Sequence, residues 1–171
     1  MLPFKNPDPQ NLKVLIVDDH PLIVDGYKSA VEHGFDIAEI DVAHNCKEAI
    51  NKIVACNGKY DVVMLDISLP AYHKLKMNSG EDLGLWIRSK YPEIRFFVLT
   101  LHDDQLRIDN IHHLLGPEAF LIKSEATTTG IVSALNAVRN NKIAYGPMVS
   151  EILLKNHSRI NALTQEPTSI E

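Results

Sequence analysis

Five polar side chains in this sequence follow directly on apolar runs, and their types suit the chemistry of phosphoryl groups. The runs Val14–Val17, Val62–Leu65, Phe96–Leu99 and Phe120–Ile122 lead into Asp18-Asp19, Asp66, Thr100 and Lys123. Carboxylates in one crevice repel each other unless one is protonated or a cation lies among them. Oxygen ligands in an open site favour Mg²⁺, and an ammonium or hydroxyl group can bind phosphoryl oxygens. A carboxylate placed among such groups could be a nucleophile that forms an acyl phosphate.

The apolar runs predict the strands that position these side chains. Each run has three or four consecutive apolar residues, which indicates a strand buried on both faces. Residues 36–43 instead alternate between apolar and polar, which predicts a strand with one wet face at the edge of a sheet.

Helical spacing follows every predicted strand. The patterns cover about 21–34, 46–55, 80–91, 104–115 and 127–140. Asn45 with Glu48, and Ser79 with Asp82, have the spacing of capping boxes at two of the helix starts. Strict alternation of strands and helices requires crossover connections, which predicts an α/β fold with a parallel sheet covered by helices. Ligands of such sheets bind at the carboxyl ends of the strands, where the five polar side chains would converge.

Composition and charge exclude several classes of protein. The 171 residues include 17 Lys and Arg against 22 Asp and Glu, a formal charge of −5, which argues against a nucleic-acid-binding surface. The two cysteines, Cys46 and Cys56, have neither the number for a disulfide framework nor the spacing of a zinc site. No apolar run approaches the roughly 20 residues of a membrane span, and the N-terminus lacks the apolar core of a signal peptide. We therefore expect a cytoplasmic protein without a membrane segment.

The C-terminal part does not continue the alternation. Tyr145-Gly146-Pro147 breaks the pattern, and an amphipathic helix is predicted from about Met148, with an apolar face that packs against its own domain. The predicted organisation is an irregular lead-in at 1–11, one domain at 12–144, and a linker helix with a tail at 145–171.

Over residues 12–144 the sequence resembles the receiver domain of two-component response regulators. The segments that carry the resemblance are VLIVDDHP (14–21), VVMLDISLP (62–70), FFVLTLHD (96–103) and AFLIKSEA (119–126). The resemblance implies a flavodoxin-like (βα)5 fold with strand order 2-1-3-4-5. It also implies a phosphorylation-controlled switch whose phosphodonor is a sensor histidine kinase, rather than an enzyme that acts on external substrates.

The same resemblance implies a role for each site residue. Asp66 is the phosphoacceptor, and Asp18, Asp19, Asp66 and the backbone carbonyl of Ile67 hold Mg²⁺. Thr100 and Lys123 bind the phosphoryl group. Phe120 occupies the position of the aromatic switch residue, whose ring would rotate inward when Thr100 moves.

The segment DDHPLIVDG is similar to the group of receivers whose output domain is a LuxR/NarL-type helix-turn-helix. That similarity implies transcription control, contact with DNA only through an output domain outside this chain, and a homodimer formed on activation. Leu163-Thr164 stands where the segment before such an output domain would begin. The alternative is a stand-alone receiver with a short tail.

The loop after Pro70 runs through residues 71–79 before it reaches Gly80, which makes it about six residues longer than in the family. Two other functions stay open. A phosphohydrolase of the haloacid dehalogenase type also combines Asp, Thr or Ser, and Lys, but it needs a second Asp two residues after the nucleophile, where this chain has Ser68. An interaction module that is never phosphorylated is the third possibility.

Overall fold

The computed structural model describes residues 11–36 and 38–164, without the side chains of residues 157–164. Six strands in this part form one parallel sheet: β1 (Leu12–Val17), β2 (Ala38–Ala43), β3 (Val62–Asp66), β4 (Arg95–Thr100), β5 (Ala119–Ile122) and β6 (Ala144–Tyr145). Their order is β2-β1-β3-β4-β5-β6. This confirms the flavodoxin-like order predicted for the first five strands and places the alternating strand β2 at an edge.

Six α-helices lie in the same part of the chain, and each predicted helix is present. They are α1 (Pro21–Gly34), α2 (Cys46–Ala55), α3 (Gly80–Lys90), α4 (Gln105–Leu115), α5 (Thr128–Arg139) and α6 (Pro147–Thr164). Two short 3-10 helices are also present, at His73–Leu75 and at Lys123–Glu125. Among the described helices, none has both the length and the apolar character that a membrane crossing requires.

The sheet divides the core into two layers because successive side chains of a strand point to opposite faces. Leu15 and Val17 pack with α2, α3 and α4 on one face, whereas Val14 and Ile16 pack with α1 and α5 on the other. With both faces covered, the carboxyl ends of the strands form the rim at which polar side chains can meet.

The two predicted capping boxes have different outcomes. The Asn45 side chain accepts the backbone N–H of Glu48 at 3.0 Å, as predicted for the start of α2. The prediction for Ser79 is wrong, because its hydroxyl donates to Glu81 Oε2 at 3.0 Å and does not cap α3. Asp82 reaches back and accepts the N–H of Asn78 at 2.7 Å, one residue before the N-cap position that a capping box would use.

The additional loop at 71–79 is a small folded turn. Tyr72 and Met77 exchange backbone hydrogen bonds of 2.7 and 3.2 Å across the 3-10 turn. Met77 is buried in the core and Tyr72 packs against the same cluster. The extra residues are therefore anchored at both ends to the domain.

Helix α6 packs on the receiver through the apolar face that the sequence predicts. Val149 is fully buried, and Ile152 and Leu153 pack against the core cluster that contains α4. The side chains of Gln105 and Asn156 also form a hydrogen bond between α4 and α6. The sequence did not predict β6, which joins β5 through hydrogen bonds from Ala144 and Gly146 and leads directly into α6.

Candidate functional site

Four strands carry the predicted polar side chains to one edge of the sheet. Asp18 follows β1, Asp66 is the last residue of β3, Thr100 is the last residue of β4, and Lys123 follows β5. These strands are neighbours in the order β1-β3-β4-β5, so their carboxyl ends lie side by side.

Lys123 connects the two innermost carboxylates. Its Nζ donates to Asp18 Oδ2 at 2.7 Å and to Asp66 Oδ2 at 2.8 Å. The side chain of Lys123 is 5% exposed and the two aspartate side chains are 1% exposed each. Charges removed from water to this extent are tolerated only when they are paired and hydrogen-bonded. One ammonium group faces two carboxylates here, so the site retains negative charge even before Asp19 is counted.

Local backbone hydrogen bonds fix the orientation of both carboxylates. The N–H of Ser68 donates to Asp66 Oδ1 at 3.0 Å, and the N–H of His20 donates to Asp18 Oδ1 at 2.9 Å. Each is a hydrogen bond from the backbone two residues further on, the pattern of an Asx turn. Both side chains are therefore held on two sides, by Lys123 and by their own loops.

Asp19 is the more open member of the acidic pair, with a side chain that is 27% exposed. Its Oδ1 is shielded from solvent and accepts no hydrogen bond from any described residue. One ligand atom from each of Asp18, Asp19, His20 and Asp66 lies within 4.8 Å of all the others. Three carboxylates face one ammonium group here, and the remaining negative charge is what a hard divalent cation binds, so these residues fit such an ion.

The backbone carbonyl of Ile67, the further predicted ligand of Mg²⁺, also has a structural role. It accepts the N–H of Gly80 at 2.9 Å and thereby ties the start of α3 to the end of β3. A Cβ at Gly80 would lie 2.0 Å from the backbone oxygen of Asp66, so only glycine permits this approach.

Thr100 reaches the rim but is engaged within its own loop. It is fully buried, and its Oγ1 accepts the N–H of His102 at 3.0 Å. The His102 ring in turn lies 3.4 Å from the Ser68 hydroxyl, which brings the loops after β3 and β4 together. No sequence pattern distinguishes His102 from an ordinary loop histidine.

Phe120 of β5 already lies inside the protein in this structure, and its rotation on phosphorylation stays a prediction. Its ring is fully buried and meets the edge of Tyr145 at a centroid distance of 6.5 Å. Tyr145 contacts His112 of α4 at 5.6 Å and donates its hydroxyl to the carbonyl of Pro117 at 3.0 Å. The aromatic position therefore connects β5 to α4 and to the strand that precedes α6.

Tyr27 of α1 is a further buried group, and the charges of the site affect its pKa. Burial, together with the negative charges of Asp18 and Asp66, raises the pKa of Tyr27 above its ordinary value. The phenol stays protonated at neutral pH. The helical spacing of the sequence identified Tyr27 only as part of the core face.

Comparison with known proteins places this geometry in a family. The family model of the response regulator receiver domain matches residues 14–143. The transcriptional regulatory protein DegU of Brevibacillus brevis is 28% identical over 163 residues, which is 93% of this chain and 64% of that protein. MctR of Rhizobium johnstonii, also a transcriptional regulatory protein, is 30% identical over 84% of this chain and 62% of its own length. The chain spans less than two thirds of the length of these relatives.

Solved structures show the same fold. A two-component response regulator of the LuxR family from Aurantimonas has a TM-score of 0.74 at 21% identity, over 86% of this chain and 99% of that one. The isolated receiver domain of RcsB from Salmonella enterica, determined with a phosphomimetic, has a TM-score of 0.71 at 23% identity, over 83% and 98%. The predicted resemblance is thus confirmed, and the chain belongs to the family of response regulator receiver domains.

Proposed function

We propose that this chain is a phosphorylation-controlled switch in which Asp66 accepts a phosphoryl group from a histidine kinase. The observation that carries the proposal is the contact of the Lys123 ammonium with the buried carboxylates of Asp18 and Asp66 at the carboxyl edge of a receiver fold. This arrangement presents a carboxylate nucleophile beside a fixed positive charge.

In the proposed transfer, a carboxylate oxygen of Asp66 forms a bond to the phosphorus of a phosphohistidine. The bond between phosphorus and the imidazole nitrogen breaks, and its electron pair stays on that nitrogen. Lys123 keeps the carboxylate in place and faces the negative charge of the incoming phosphoryl group. Because the ammonium group is already in position, it does not have to reorganise during the reaction. Asp18, Asp19 and Asp66 would hold Mg²⁺, which when bound supplies positive charge next to the phosphoryl oxygens.

Thr100 and Phe120 would carry the response away from the site. A phosphoryl group on Asp66 adds about −1.5 to −2 charge at neutral pH and new acceptor oxygens. Thr100 can satisfy one of these acceptors if its hydroxyl leaves the N–H of His102. The buried contact between Phe120 and Tyr145 would then transmit the movement of the loop toward α4 and α6.

The alternative function as a haloacid-dehalogenase-type hydrolase lacks its acid. Ser68 stands two residues after Asp66, where that mechanism needs a carboxylate, and its backbone N–H serves only to orient Asp66. The family match favours the receiver.

The proposal is tested by incubating the chain with acetyl phosphate and Mg²⁺ and measuring its intact mass. We expect one phosphoryl adduct that peptide mapping places on Asp66. Rapid turnover of phosphomonoesters without a lasting adduct would support the hydrolase, and an unchanged mass would support a module that is never phosphorylated.

Mg²⁺ is expected to stabilise the folded chain through Asp19. A ligand present at about 100 times its Kd adds about 2.7 kcal/mol, which corresponds to a rise in Tm of roughly 5–10 °C for a domain of this size. Asp19→Asn should lose this rise, because it removes the charge of the acidic side chain that is not one of the two held by Lys123. Thermal melts with and without Mg²⁺ measure the effect, with Asp25→Asn on the exposed surface of α1 as the control. An equal rise in Asp19→Asn would contradict this ligand set.

The names of the relatives suggest the output. DegU and MctR are both called transcriptional regulatory proteins. We therefore propose that the chain is the receiver part of a transcription regulator, which meets DNA through a further domain and forms homodimers on activation. The boundaries predicted at residues 12–144 and 145–171 belong to the same proposal.

A further inference from the structure

His20 directly follows the acidic pair, and its ring lies among the carboxylates. The Nδ1 atom is 2.9 Å from Asp19 Oδ1 and 3.2 Å from Asp18 Oδ1. The side chain is 55% exposed, so the ring lies at the open side of the site. The sequence alone favours a loop residue near the site and not a metal ligand.

The local backbone explains why the ring is held there. The N–H of His20 donates to Asp18 Oδ1, and the backbone is extended at φ −102° and ψ 104°. Pro21 favours this conformation because a residue before proline is disfavoured in the helical region. The His20 side chain makes no capping hydrogen bond to α1, so its nitrogen is not needed to start the helix.

The separations match those between ligands of one small cation. Two neighbouring ligands of an octahedral ion with bonds of about 2.1 Å lie about 3.0 Å apart. The two distances from Nδ1, 2.9 and 3.2 Å, lie on either side of that value. The ligand atom of Asp66 belongs to the same cluster and lies within 4.8 Å of each of the others.

We propose that His20 Nδ1 is a ligand of the cation held by Asp18, Asp19 and Asp66, so that the site favours first-row transition cations more than an all-oxygen site would. Imidazole is a good ligand for such ions, whereas Mg²⁺ prefers oxygen. This inference rests on the metal site of the proposed function and concerns which cation that site selects.

A different role for His20 makes a different prediction. If Nδ1 only donates a proton to the carboxylates, its loss weakens the binding of every divalent cation by a similar factor. The ratio of affinities for two cations therefore separates a ligand from a hydrogen-bond donor.

The test is calorimetric titration of the chain with Co²⁺ and with Mg²⁺, separately, for the parent, His20→Ala and His20→Gln. Loss of a partner outside the direct ligand set already costs 10–100-fold in metal affinity, so we expect Kd for Co²⁺ to rise at least about tenfold in both variants. Kd for Mg²⁺ should change by less than about threefold. His33→Ala, an exposed histidine at the other end of α1, is the matched control and should leave both values unchanged.

Pulsed electron paramagnetic resonance of the Mn²⁺-loaded chain gives a direct signature. We expect coupling of the electron spin to an imidazole nitrogen in the parent and in His33→Ala, and no such coupling in His20→Ala. Circular dichroism and Tm without metal check that each variant is folded. If His20→Ala does not fold, His20→Gln takes its place in the measurement.

Nitrogen coupling that persists without His20, or equal losses of Co²⁺ and Mg²⁺ affinity, would overturn the inference. Failure of the parent chain to take up a phosphoryl group from acetyl phosphate would instead count against the proposed function, and would leave the comparison of metal affinities unaffected.

Discussion

Replacing Asp66 by Asn is expected to abolish the phosphoryl adduct while leaving the fold intact. A carboxamide is a far poorer nucleophile than a carboxylate, so the attacking atom is lost. The amide oxygen can still accept the N–H of Ser68, and Lys123 keeps its contact with Asp18 Oδ2 at 2.7 Å. Intact mass after incubation with acetyl phosphate and Mg²⁺ measures the loss, and circular dichroism measures the fold.

The matched control for this variant is Asp25→Asn, which changes an exposed aspartate on α1 and should keep the full adduct. An adduct of unchanged yield in Asp66→Asn would place the phosphoacceptor elsewhere. A variant that has lost its secondary structure would be replaced by Asp66→Ser, in which the carboxylate is also absent.

Gly80→Ala should be strongly destabilising, although it changes a residue that touches no substrate. The added Cβ would lie 2.0 Å from the backbone oxygen of Asp66 and 2.9 Å from the Cα of Ile67. Both neighbours are backbone atoms at the end of β3, so the strand or the start of α3 must move. Overpacking of this kind costs about 1–3 kcal/mol and sometimes more, and we expect at least about 2 kcal/mol here.

Denaturant unfolding measures this loss, and Gly26→Ala is the matched control. A Cβ at Gly26 meets nothing within 4 Å on the exposed side of α1, and alanine is the better helix former by about 0.5–1 kcal/mol. The two substitutions should therefore move the free energy of unfolding in opposite directions. Equal effects would mean that the end of β3 adjusts freely to α3.

The three aspartates of the site differ in how firmly they are held. Lys123 holds Asp18 and Asp66 by one oxygen each, and backbone N–H groups hold the other oxygen. Asp19, by contrast, has an oxygen that accepts no described hydrogen bond. The proposed nucleophile, Asp66, is thus positioned before any ligand arrives, and Asp19 is the side chain best able to respond to a cation.

The order of the strands and the convergence of the polar side chains could be predicted from the sequence. Runs such as Val62–Leu65 are apolar at every position because both faces of a parallel sheet are covered. Strict alternation with helices makes the strands parallel, so that Asp18, Asp66 and Lys123 share an edge, and the resemblance to receiver domains implied the strand order. The period of a hydrophobic pattern reflects burial along a whole strand or helix. Strands β1–β5 and the helices could therefore be predicted from it.

The contacts of individual atoms depend on tertiary structure. Ser79 has the spacing of a cap but donates to Glu81, because this choice depends on how α3 meets β3. A strand of two residues such as β6 has no period to detect. Phe120 lies inside the core, and one of its contacts is with Tyr145, on a segment that the pattern did not identify as a strand.

His20 also shows which properties of the site the sequence determines and which depend on tertiary structure. Its place after two aspartates and before Pro21 is a fact of the sequence, yet the sequence predicts no direction for the ring. The approach of Nδ1 to both Asp18 and Asp19 follows from the turn between β1 and α1, where a backbone hydrogen bond to Asp18 fixes the loop. Sequence thus determined which chemical groups reach the rim, and tertiary structure decided which of their atoms pair, because hydrogen bonds form or fail over a few tenths of an ångström.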